Sequence, residues 1–327
     1  MLSIDHVTSR SEWDALVLDL EGNPLQLWGW GEVKAKHGWR AVRLRVRDGE
    51  RVVGCAQVLV RPLPGVFGAL SHVPRGPVVR TGESRGPVCD AVAEHCRREI
   101  KGVGITFEPD WPADDDDTIT GGVPSPNPIF MASTLVLDLA QDDDTLLARM
   151  AKKTRYEVRK SQRREWDITE VRTPEDLDAV LALYRETSER AGFGIHADAY
   201  YRDVHAELGD HSVLLLARDE GTPVAFLWIA ASDRTGIDLY GGSNDAGRKL
   251  LANYALKWRA IHTLRDRGVT RYDLNGLLGE DVSHFKRGFS DHTDELVGSV
   301  DVPFSVWYTA WHRALPAAKA VLRRVRR

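Results

Sequence analysis

The order of predicted elements, which occurs twice along the chain, constrains the fold more than any single residue does. Short apolar runs bounded by Gly, Asp and Pro predict strands, and apolar residues three or four positions apart predict helices. Each half reads as two strands joined by a turn, then a third strand, a helix and a final strand. The first set is predicted at 41–46, 51–60, 68–73, 87–101 and 103–108, and the second at 212–217, 224–230, 237–240, 245–267 and 271–275.

This duplication predicts two mixed α/β (α+β) units in tandem, and 327 residues are enough for two domains. We place the first domain at 1–141, completed by 300–327, and the second at 142–299. The acidic, proline-containing segment 111–128 is either the seam between the units or a long surface loop of the first. No heptad pattern is long enough to predict a paired-helix arm.

Cysteine count, hydropathy and charge narrow the functional classes. Three cysteines without paired spacing predict neither a disulfide framework nor a metal site. The chain lacks a signal-like N-terminus and an apolar run of membrane-spanning length, so we expect a cytoplasmic protein. The net charge of −4 argues against a general nucleic-acid binder, and no DNA partner is expected. Basic stretches at 149–164 and 313–327 leave local phosphate-binding surfaces open.

The stretch 142–166 is predicted to form one basic helix with a narrow apolar face. Taken alone, this charge run is typical of a solvated amphipathic helix, but it also suits contact with tRNA. The C-terminal stretch 307–327 pairs aromatic residues with arginines, which fits nucleic acid, an anionic membrane surface at the inner face, or a frayed tail. The candidate tRNA contacts on the basic helix are Lys152, Lys153, Arg155, Arg159, Lys160 and Arg163.

Missing motifs exclude several enzyme classes. The chain has no phosphate-binding GxxxxGK[ST] loop, no GxGxxG after a strand, no HExxH and no GxSxG. The repeated order of elements is similar to that of GNAT-like N-acyltransferases, whose mixed sheets are flanked by helices. In coenzyme A users of that fold, a glycine-rich turn before the main helix presents N–H groups to pyrophosphate. The turn at 241–248 contains such glycines at a different spacing, which favours another acyl donor.

Seven short motifs then point to a family. They read LQLWGWGEVK at 25–34, PRGPV at 74–78, TRYEVRK at 154–160, YGGS at 240–243, NYALKW at 253–258, YDLNG at 272–276 and FKRGF at 285–289. In their order and their spread along the chain, these motifs resemble those of the Fem family of tRNA-dependent peptidyltransferases, which build peptidoglycan interpeptide bridges. The resemblance implies two GNAT-like domains, an aminoacyl-tRNA donor and a muramyl-peptide acceptor, held as a nucleotide or as lipid II. It implies no cofactor and no metal.

The resemblance also implies a catalytic mechanism. An acceptor amine would attack the aminoacyl ester, which already carries the energy for an amide bond, so no ATP motif is needed. Lys286, beside Phe285, matches the family's lysine that stabilises the negative charge developing on the ester oxygen. The catalytic and donor side would then be the second domain, and the acceptor diphosphate side the first. Without its flanking motif, Lys286 reads as an exposed loop lysine.

The acceptor-binding residues implied by the resemblance fall in both domains. Lys34 matches a lysine that contacts the acceptor diphosphate, although a solvated helix lysine is the alternative. Trp30 is a groove-wall or core residue, and Arg75 either reaches an acceptor anion or braces its turn. His196 stands where relatives often place a diphosphate-binding arginine. The cleft-lining candidates are Tyr240, Asn253, Tyr254 and Asp273, of which Tyr254 and Asp273 also fit structural roles.

Three other functions remain open at this point. A tRNA-dependent aminoacyltransferase could act on a small-molecule amine in specialised metabolism, because His196 is a weaker anion partner than arginine near neutral pH. A coenzyme A-dependent N-acyltransferase would share the fold. A non-catalytic nucleic-acid-binding module would use the basic helix alone.

Overall fold

The computed structural model describes residues 2–114, 117–277 and 280–314, except for the side chains of 280–282. Its strands, in chain order, are β1 Leu2–His6, β2 Arg40–Asp48, β3 Arg51–Pro62, β4 Ala69–Pro74, β5 Val78–Val79, β6 Gly104–Glu108, β7 Val123–Pro124, β8 Ser133–Thr134, β9 Val136–Asp138, β10 Asp167–Glu170, β11 Ser212–Asp219, β12 Thr222–Ala231, β13 Thr235–Ser243, β14 Arg271–Asp273, β15 Asp294–Glu295 and β16 Val300–Pro303. Its α-helices are α1 Arg10–Asp19, α2 Trp28–Lys36, α3 Arg85–Glu99, α4 Asp143–Arg149, α5 Lys152–Ser161, α6 Pro174–Ala191, α7 Asp198–Leu208, α8 Asp245–Lys249, α9 Ala252–Asp266 and α10 Glu280–Arg287.

The first compact unit comprises Met1–Ala132 and the chain from Glu295 onward. Its main sheet has the order β1-β2-β3-β4-β6-β16-β7, with β5 paired to β3. All neighbours are antiparallel except β4 and β6, which are parallel because α3 crosses between them. The apolar side chains of these strands pack against α3 in the core of this unit.

The second compact unit, Ser133–Asp294, contains a sheet with the order β10-β11-β12-β13-β14-β9. Here the parallel pair is β13 and β14, joined through α8 and α9. Buried side chains of α9 pack on the sheet in one apolar core. The predicted fold class, an α/β (α+β) chain with mixed sheets flanked by helices, is thus confirmed in both units.

The unit boundaries differ from the predicted ones at 141/142 and 299/300. Strand β9 lies before the predicted boundary but pairs with β14 in the second sheet. Leu296 and Val297 lie before the other predicted boundary, yet their backbone N–H groups donate to Ala132 and Trp111 of the first unit. Backbone hydrogen bonding, which composition does not encode, therefore sets both boundaries.

The prediction that 111–128 forms a seam is wrong, and the loop alternative holds for its described residues. Ala113 N donates to Glu295 O, and β7 pairs with β16, so the segment belongs to the first unit. Within the described ranges, no helix combines the length and the apolar composition needed to cross a bilayer.

Two helices predicted as continuous are interrupted. The predicted helix 142–166 divides into α4 and α5, because Met150 and Ala151 adopt extended backbone. The predicted helix 245–267 divides into α8 and α9 at Leu251, which has the left-handed φ of 65°. A left-handed leucine is sterically unfavourable, so packing around it must hold this break.

Candidate functional site

In the second unit, the sheet opens where β13 and β14 diverge. The two strands pair in parallel from Thr235 opposite Arg271 to Ile237 opposite Asp273. Strand β14 ends there, whereas β13 continues to Ser243 with a register shift against β12 that leaves Leu239 as the extra residue. Bulges redirect a strand and are common next to active sites. The chain after β14 therefore turns away from β13.

That turn is fixed by hydrogen bonds to both of its central residues. Asn275 and Gly276 have positive φ angles of 55° and 75°, and asparagine tolerates this conformation better than most residues. Asn275 N donates to Asp273 Oδ1 at 2.7 Å, and its Nδ2 donates to Asp238 O at 2.7 Å. Gly276 N donates to Thr134 Oγ1 at 2.9 Å. The carbonyl groups of the turn consequently have defined directions.

Lys286, near the end of α10, binds these carbonyl groups. Its Nζ donates to Asn275 O at 3.1 Å and to Gly276 O at 2.9 Å. An ammonium has three N–H groups, so these two bonds leave one for another acceptor. Burial lowers the pKa of Lys286, while the nearby Asp238 carboxylate opposes that shift. The predicted catalytic lysine is therefore a half-buried cation held in a fixed direction, not an exposed loop side chain.

Aromatic contacts hold α10 in place. The Phe285 ring lies 5.1 Å from Tyr254 and 5.2 Å from Phe289, centroid to centroid, both edge-on. A Cβ at Gly288 would lie 2.0 Å from Thr154 Oγ1, so only glycine fits there against α5. The motif at 285–289 thus has packing roles on either side of Lys286, and Tyr254 serves as part of that packing.

Behind the turn lies a buried ionic network that the sequence did not predict. Lys257 Nζ donates to Asp238 Oδ2 at 2.5 Å and to Tyr272 OH at 2.8 Å, and Tyr272 OH donates to Asp238 Oδ1. Lys257 and Tyr272 are fully buried, and burial lowers the pKa of Lys257 while Asp238 opposes that shift. A lysine among the buried apolar residues of α9 is the signal that points to such a pair.

Asp273, another predicted cleft residue, is completely buried. Its Oδ1 accepts from Thr134 Oγ1 at 2.5 Å and from Asn275 N. The carboxylate therefore anchors the turn whose carbonyl groups accept hydrogen bonds from Lys286. This geometry matches the structural alternative for Asp273.

The predicted residues Tyr240 and His196 meet in an aromatic cluster of the second unit. His196 stacks on Tyr200 with a centroid distance of 4.1 Å, and its backbone N donates to Tyr201 OH at 2.9 Å. Tyr240 packs edge-on against Tyr201 at 5.1 Å and hydrogen-bonds Tyr200. Burial raises the pKa of Tyr200 to about 12, and it also raises the pKa of Tyr240 well above its ordinary value. These phenols therefore stay protonated and donate hydrogen bonds at neutral pH.

In the predicted glycine-rich turn at 241–248, Gly241 and Gly242 belong to β13, and the residues from Asn244 onward form the start of α8. Asn244 Oδ1 accepts from Gly247 N at 2.9 Å and so caps α8. A Cβ at Gly247 would lie 2.3 Å from Val224 O, so this glycine permits close packing on β12. Asn253, at the start of α9, donates to Ser243 Oγ at 3.3 Å. This arrangement does not favour a pyrophosphate nest of the coenzyme A type.

The candidate residues of the first unit include a pair on α2. Lys34 Nζ lies 4.4 Å from the centroid of the Trp30 ring, and burial lowers the pKa of Lys34 to about 8. Trp30 is buried, and its Nε1 donor has no hydrogen-bond partner among the described residues. Arg43 holds α2 on the sheet by donating to Glu32 Oε1 at 2.8 Å and to Gln57 Oε1 at 2.9 Å.

Arg75 is almost completely buried, and its guanidinium lies 4.8 Å from the Phe130 ring centroid. The His72 ring stacks on the same Phe130 ring at 6.4 Å, and His72 Nε2 bonds Glu108 Oε2 at 2.7 Å. Burial alone would raise the pKa of Glu108. Hydrogen bonds from His72, Ser299 and the Phe130 backbone outweigh burial and lower this pKa to about 2. The geometry of Arg75 favours the bracing alternative.

The basic residues of α5 occupy its outer surface. Thr154, Val158 and Ser161 are buried, and Tyr156 is 57% exposed between the cations. Arg155 differs from the prediction, because its guanidinium donates to the carbonyls of Leu147 and Ala148 and so joins α5 to α4. The fully exposed candidates are Lys152, Lys153, Arg159, Lys160 and Arg163, which we call the α5 basic face.

Metal chemistry gains no support from side-chain clustering. Within the described ranges, no group of three or more His, Cys, Asp and Glu side chains is placed to hold a metal ion. Cys55, Cys89 and Cys96 are buried free thiols.

Comparisons with known proteins agree with the motifs. The acetyltransferase (GNAT) domain family matches residues 148–287. The Lipid II:glycine glycyltransferase of Staphylococcus aureus is 29% identical over 240 residues, which is 67% of this chain and 56% of that protein. The chain thus spans a little over half the length of the curated relatives it matches.

Two solved structures share the fold across most of the chain. The crystal structure of FemX matches with a TM-score of 0.81 at 20% identity, covering 92% of this chain and 97% of FemX. A tandem GNAT protein from the clavulanic acid biosynthesis pathway matches with a TM-score of 0.56 at 15% identity, and the match covers 93% of this chain and 99% of that protein. The chain therefore has a tandem GNAT-like fold, and it is similar to the Lipid II:glycine glycyltransferase in sequence and to FemX in fold.

Proposed function

We propose that this protein transfers an amino acid from an aminoacyl-tRNA to an amine of a peptidoglycan precursor. The observation that carries the proposal is the Lys286 ammonium, held on two backbone carbonyls where β13 and β14 diverge. Its free N–H direction suits an oxygen that becomes negative during acyl transfer. The similarity to a glycyltransferase named for lipid II supports the acceptor class.

In the proposed step, the acceptor amine attacks the carbonyl carbon of the aminoacyl ester and a C–N bond forms. The carbonyl oxygen becomes an oxyanion, which accepts a hydrogen bond from Lys286. Collapse breaks the ester C–O bond, and the 3′-terminal hydroxyl of the tRNA leaves with a proton while the amine loses one. Removing one oxyanion donor typically costs about 2.7–4 kcal/mol of transition-state stabilisation, so one positioned ammonium contributes substantially.

The acceptor's diphosphate is assigned to Lys34 and Trp30 of the first unit. The compact ammonium of Lys34 suits phosphate oxygens. The buried Trp30 N–H is a second donor, and a phosphate oxygen would satisfy its hydrogen bond, which no described residue does. These two groups sit one helical turn apart on α2, so a rigid element presents them together.

Acceptor binding is expected to weaken as pH rises through about 8. Burial lowers the pKa of Lys34 to about 8, so the free protein loses this positive charge above that pH. The acceptor KM should therefore rise between pH 7 and 9, and Lys34→Met should raise KM and remove this pH dependence while kcat changes little. Acceptor affinity measured by calorimetry across this range checks the expectation. A Lys34→Met protein with wild-type affinity and pH dependence would remove Lys34 from the site.

The α5 basic face is assigned to the tRNA donor. Its cations are exposed, four of them lie on α5 with Arg163 two residues after its end, and Tyr156 offers a stacking surface between them. Phosphate contacts by lysine and arginine supply most non-specific affinity for nucleic acid.

The double substitution Lys153→Glu/Lys160→Glu is expected to weaken binding of charged tRNA by about tenfold or more. It should also remove one to two phosphate contacts, and each lost contact makes the slope of log K against log salt concentration shallower by about 0.7–0.9. Fluorescence anisotropy at several salt concentrations measures both. Lys249→Glu/Arg259→Glu places the same charge change on exposed positions of α8 and α9 and should have a smaller effect. Equal losses in both proteins would mean that general charge, not the α5 basic face, binds the tRNA.

The proposal is tested by incubating the purified chain with a panel of charged tRNAs and a precursor, either nucleotide-linked or lipid-linked. The product should be heavier than the precursor by an aminoacyl residue, as read by mass spectrometry. If folded protein yields no product with any charged tRNA and either acceptor, the proposal fails.

One observation favours a second acceptor class. His196 is stacked on Tyr200 where many relatives would place an arginine, and a stacked imidazole is a weaker diphosphate partner near neutral pH. A small-molecule amine without a diphosphate is therefore the alternative acceptor. Transfer to simple diamines that exceeds transfer to both precursors would select it.

A further inference from the structure

The hairpin that joins β3 to β4 carries an exposed apolar tip. Residues 62–69 read PLPGVFGA and contain no polar side chain. The tip is closed by a hydrogen bond from Leu63 N to Gly68 O at 2.8 Å, and Val66 at its end is 64% exposed. An exposed loop without a single polar side chain is unusual, because loops are normally rich in polar turn residues.

A second apolar segment of the same unit lies beside this tip. Val306 is 90% exposed and Trp307 is 45% exposed. The Phe67 ring lies 6.3 Å from Trp307 and 5.4 Å from Trp311, centroid to centroid. We call Val66, Phe67, Val306, Trp307 and Trp311 the aromatic tip. Exposed apolar groups gathered in this way, rather than scattered singly, mark an interaction surface.

Exposed basic residues lie close to the aromatic tip along the chain or through backbone contact. Arg61 and Lys101 are exposed at the base of the hairpin, and Lys101 O lies 2.7 Å from where a Cβ on Gly68 would stand. Arg313 is exposed two residues after Trp311, and Glu99 is an exposed acidic residue near the end of α3. The predicted C-terminal basic stretch continues over 315–327, which lies outside the described residues. The charge around the tip is therefore complementary to an anionic partner.

We propose that the aromatic tip docks this protein on the surface of an anionic lipid bilayer. Tryptophan and phenylalanine beside lysine and arginine are the side chains that favour the interfacial region, where rings bury their apolar faces and cations meet headgroup phosphates. This combination of aromatic and basic residues fits a lipid surface better than a second copy of the chain. In a two-fold interface, the basic residues beside the tip of one copy would face those of the other and repel them. Docking would keep the protein beside a lipid-linked acceptor, and in this respect the inference rests on the proposed function.

The test uses the full chain with sedimented vesicles of phosphatidylcholine alone or of phosphatidylcholine mixed with the anionic lipid phosphatidylglycerol. The wild type should bind the anionic vesicles, and binding should weaken with salt. Val66→Glu/Trp307→Glu should lower the vesicle partition coefficient by about tenfold or more, because two interfacial anchors are lost and two negative charges are gained. Ile129→Glu alters an equally exposed apolar residue of the same unit and should bind as the wild type does.

The outcomes separate this inference from the proposed function. The inference is overturned if the wild type does not bind anionic vesicles. It is equally overturned if Val66→Glu/Trp307→Glu, the tip variant, binds them as well as the wild type does. It is also overturned if the tip variant instead converts a dimer into a monomer in sedimentation velocity, since the occupant is then a second copy. Vesicle binding with no aminoacyl transfer overturns only the proposed function. Retained transfer to a nucleotide-linked acceptor, with transfer lost only to the vesicle-borne acceptor, supports both.

Discussion

Lys286→Met is expected to lower kcat for aminoacyl transfer by about 10²–10³-fold while the acceptor KM changes little. Methionine keeps the length and most of the apolar stem of lysine but removes the ammonium that Asn275 O and Gly276 O orient. The interaction with the oxyanion exists only once charge develops, so its loss appears in kcat rather than in binding. Single-turnover transfer from charged tRNA measures the chemical step directly.

Lys249→Met provides the matched control, because Lys249 is an exposed lysine of the same unit. Its kcat should equal that of the wild type. Binding of the acceptor to the Lys286→Met protein, measured by calorimetry, should also be unchanged. A Lys286→Met protein with full turnover would show that another group stabilises the transition state.

Lys257→Met is expected to lower the free energy of unfolding of the second unit by about 3–5 kcal/mol. The substitution fills a similar volume but leaves the Asp238 carboxylate buried without its cation, with Tyr272 OH as a remaining donor. An uncompensated buried charge is far more costly than the loss of one average hydrogen bond. Urea unfolding followed by circular dichroism reports this as a lower midpoint for one of the transitions.

The double substitution Lys257→Met/Asp238→Asn separates charge from packing. It removes both charges, so it should regain a large part of the lost stability. If the double variant is as unstable as Lys257→Met, the loss arises from the methionine side chain rather than from the unpaired carboxylate. If Lys257→Met itself unfolds like the wild type, the ionic network does not stabilise the second unit.

The eight strands predicted from the sequence are found, because their signal is local, whereas strands such as β1, β10 and β16 were not predicted. The predicted strands at 41–46 and 212–217 lie within β2 and β11, whose alternating or continuous apolar residues are set by the faces that they bury. The helix breaks at Met150–Ala151 and at Leu251 were not predicted. Leucine and alanine favour helix, so these breaks depend on tertiary packing that no local pattern records.

The candidate site was predicted in part, and for reasons that differ between residues. Lys286 was placed by resemblance, but the turn that orients it requires Asn275 and Asp238 to meet across the sheet, which sequence spacing does not show. Asp273 and Arg75 have ionisable side chains, yet their burial gives them anchoring and bracing geometry. Lys257 was missed, although a lysine on the buried face of a helix indicates a partner.

The glycines at 241–248 show a similar difference between pattern and geometry. Gly247 is compatible with a phosphate-binding turn by composition alone. In the structure it packs on Val224, and Asn244 occupies the helix N-terminus. Glycine permits close approach of any group, so its presence does not identify a ligand.

The central claim is that the acyl group comes from tRNA, and a competition between donors tests it most directly. The full chain is given an acceptor together with tRNA carrying a carbon-13 amino acid and acetyl-coenzyme A carrying a deuterated acetyl group. We expect a product that carries the carbon-13 residue alone and that disappears when ribonuclease is added first. A product that carries the deuterated acetyl group and is insensitive to ribonuclease would contradict this claim.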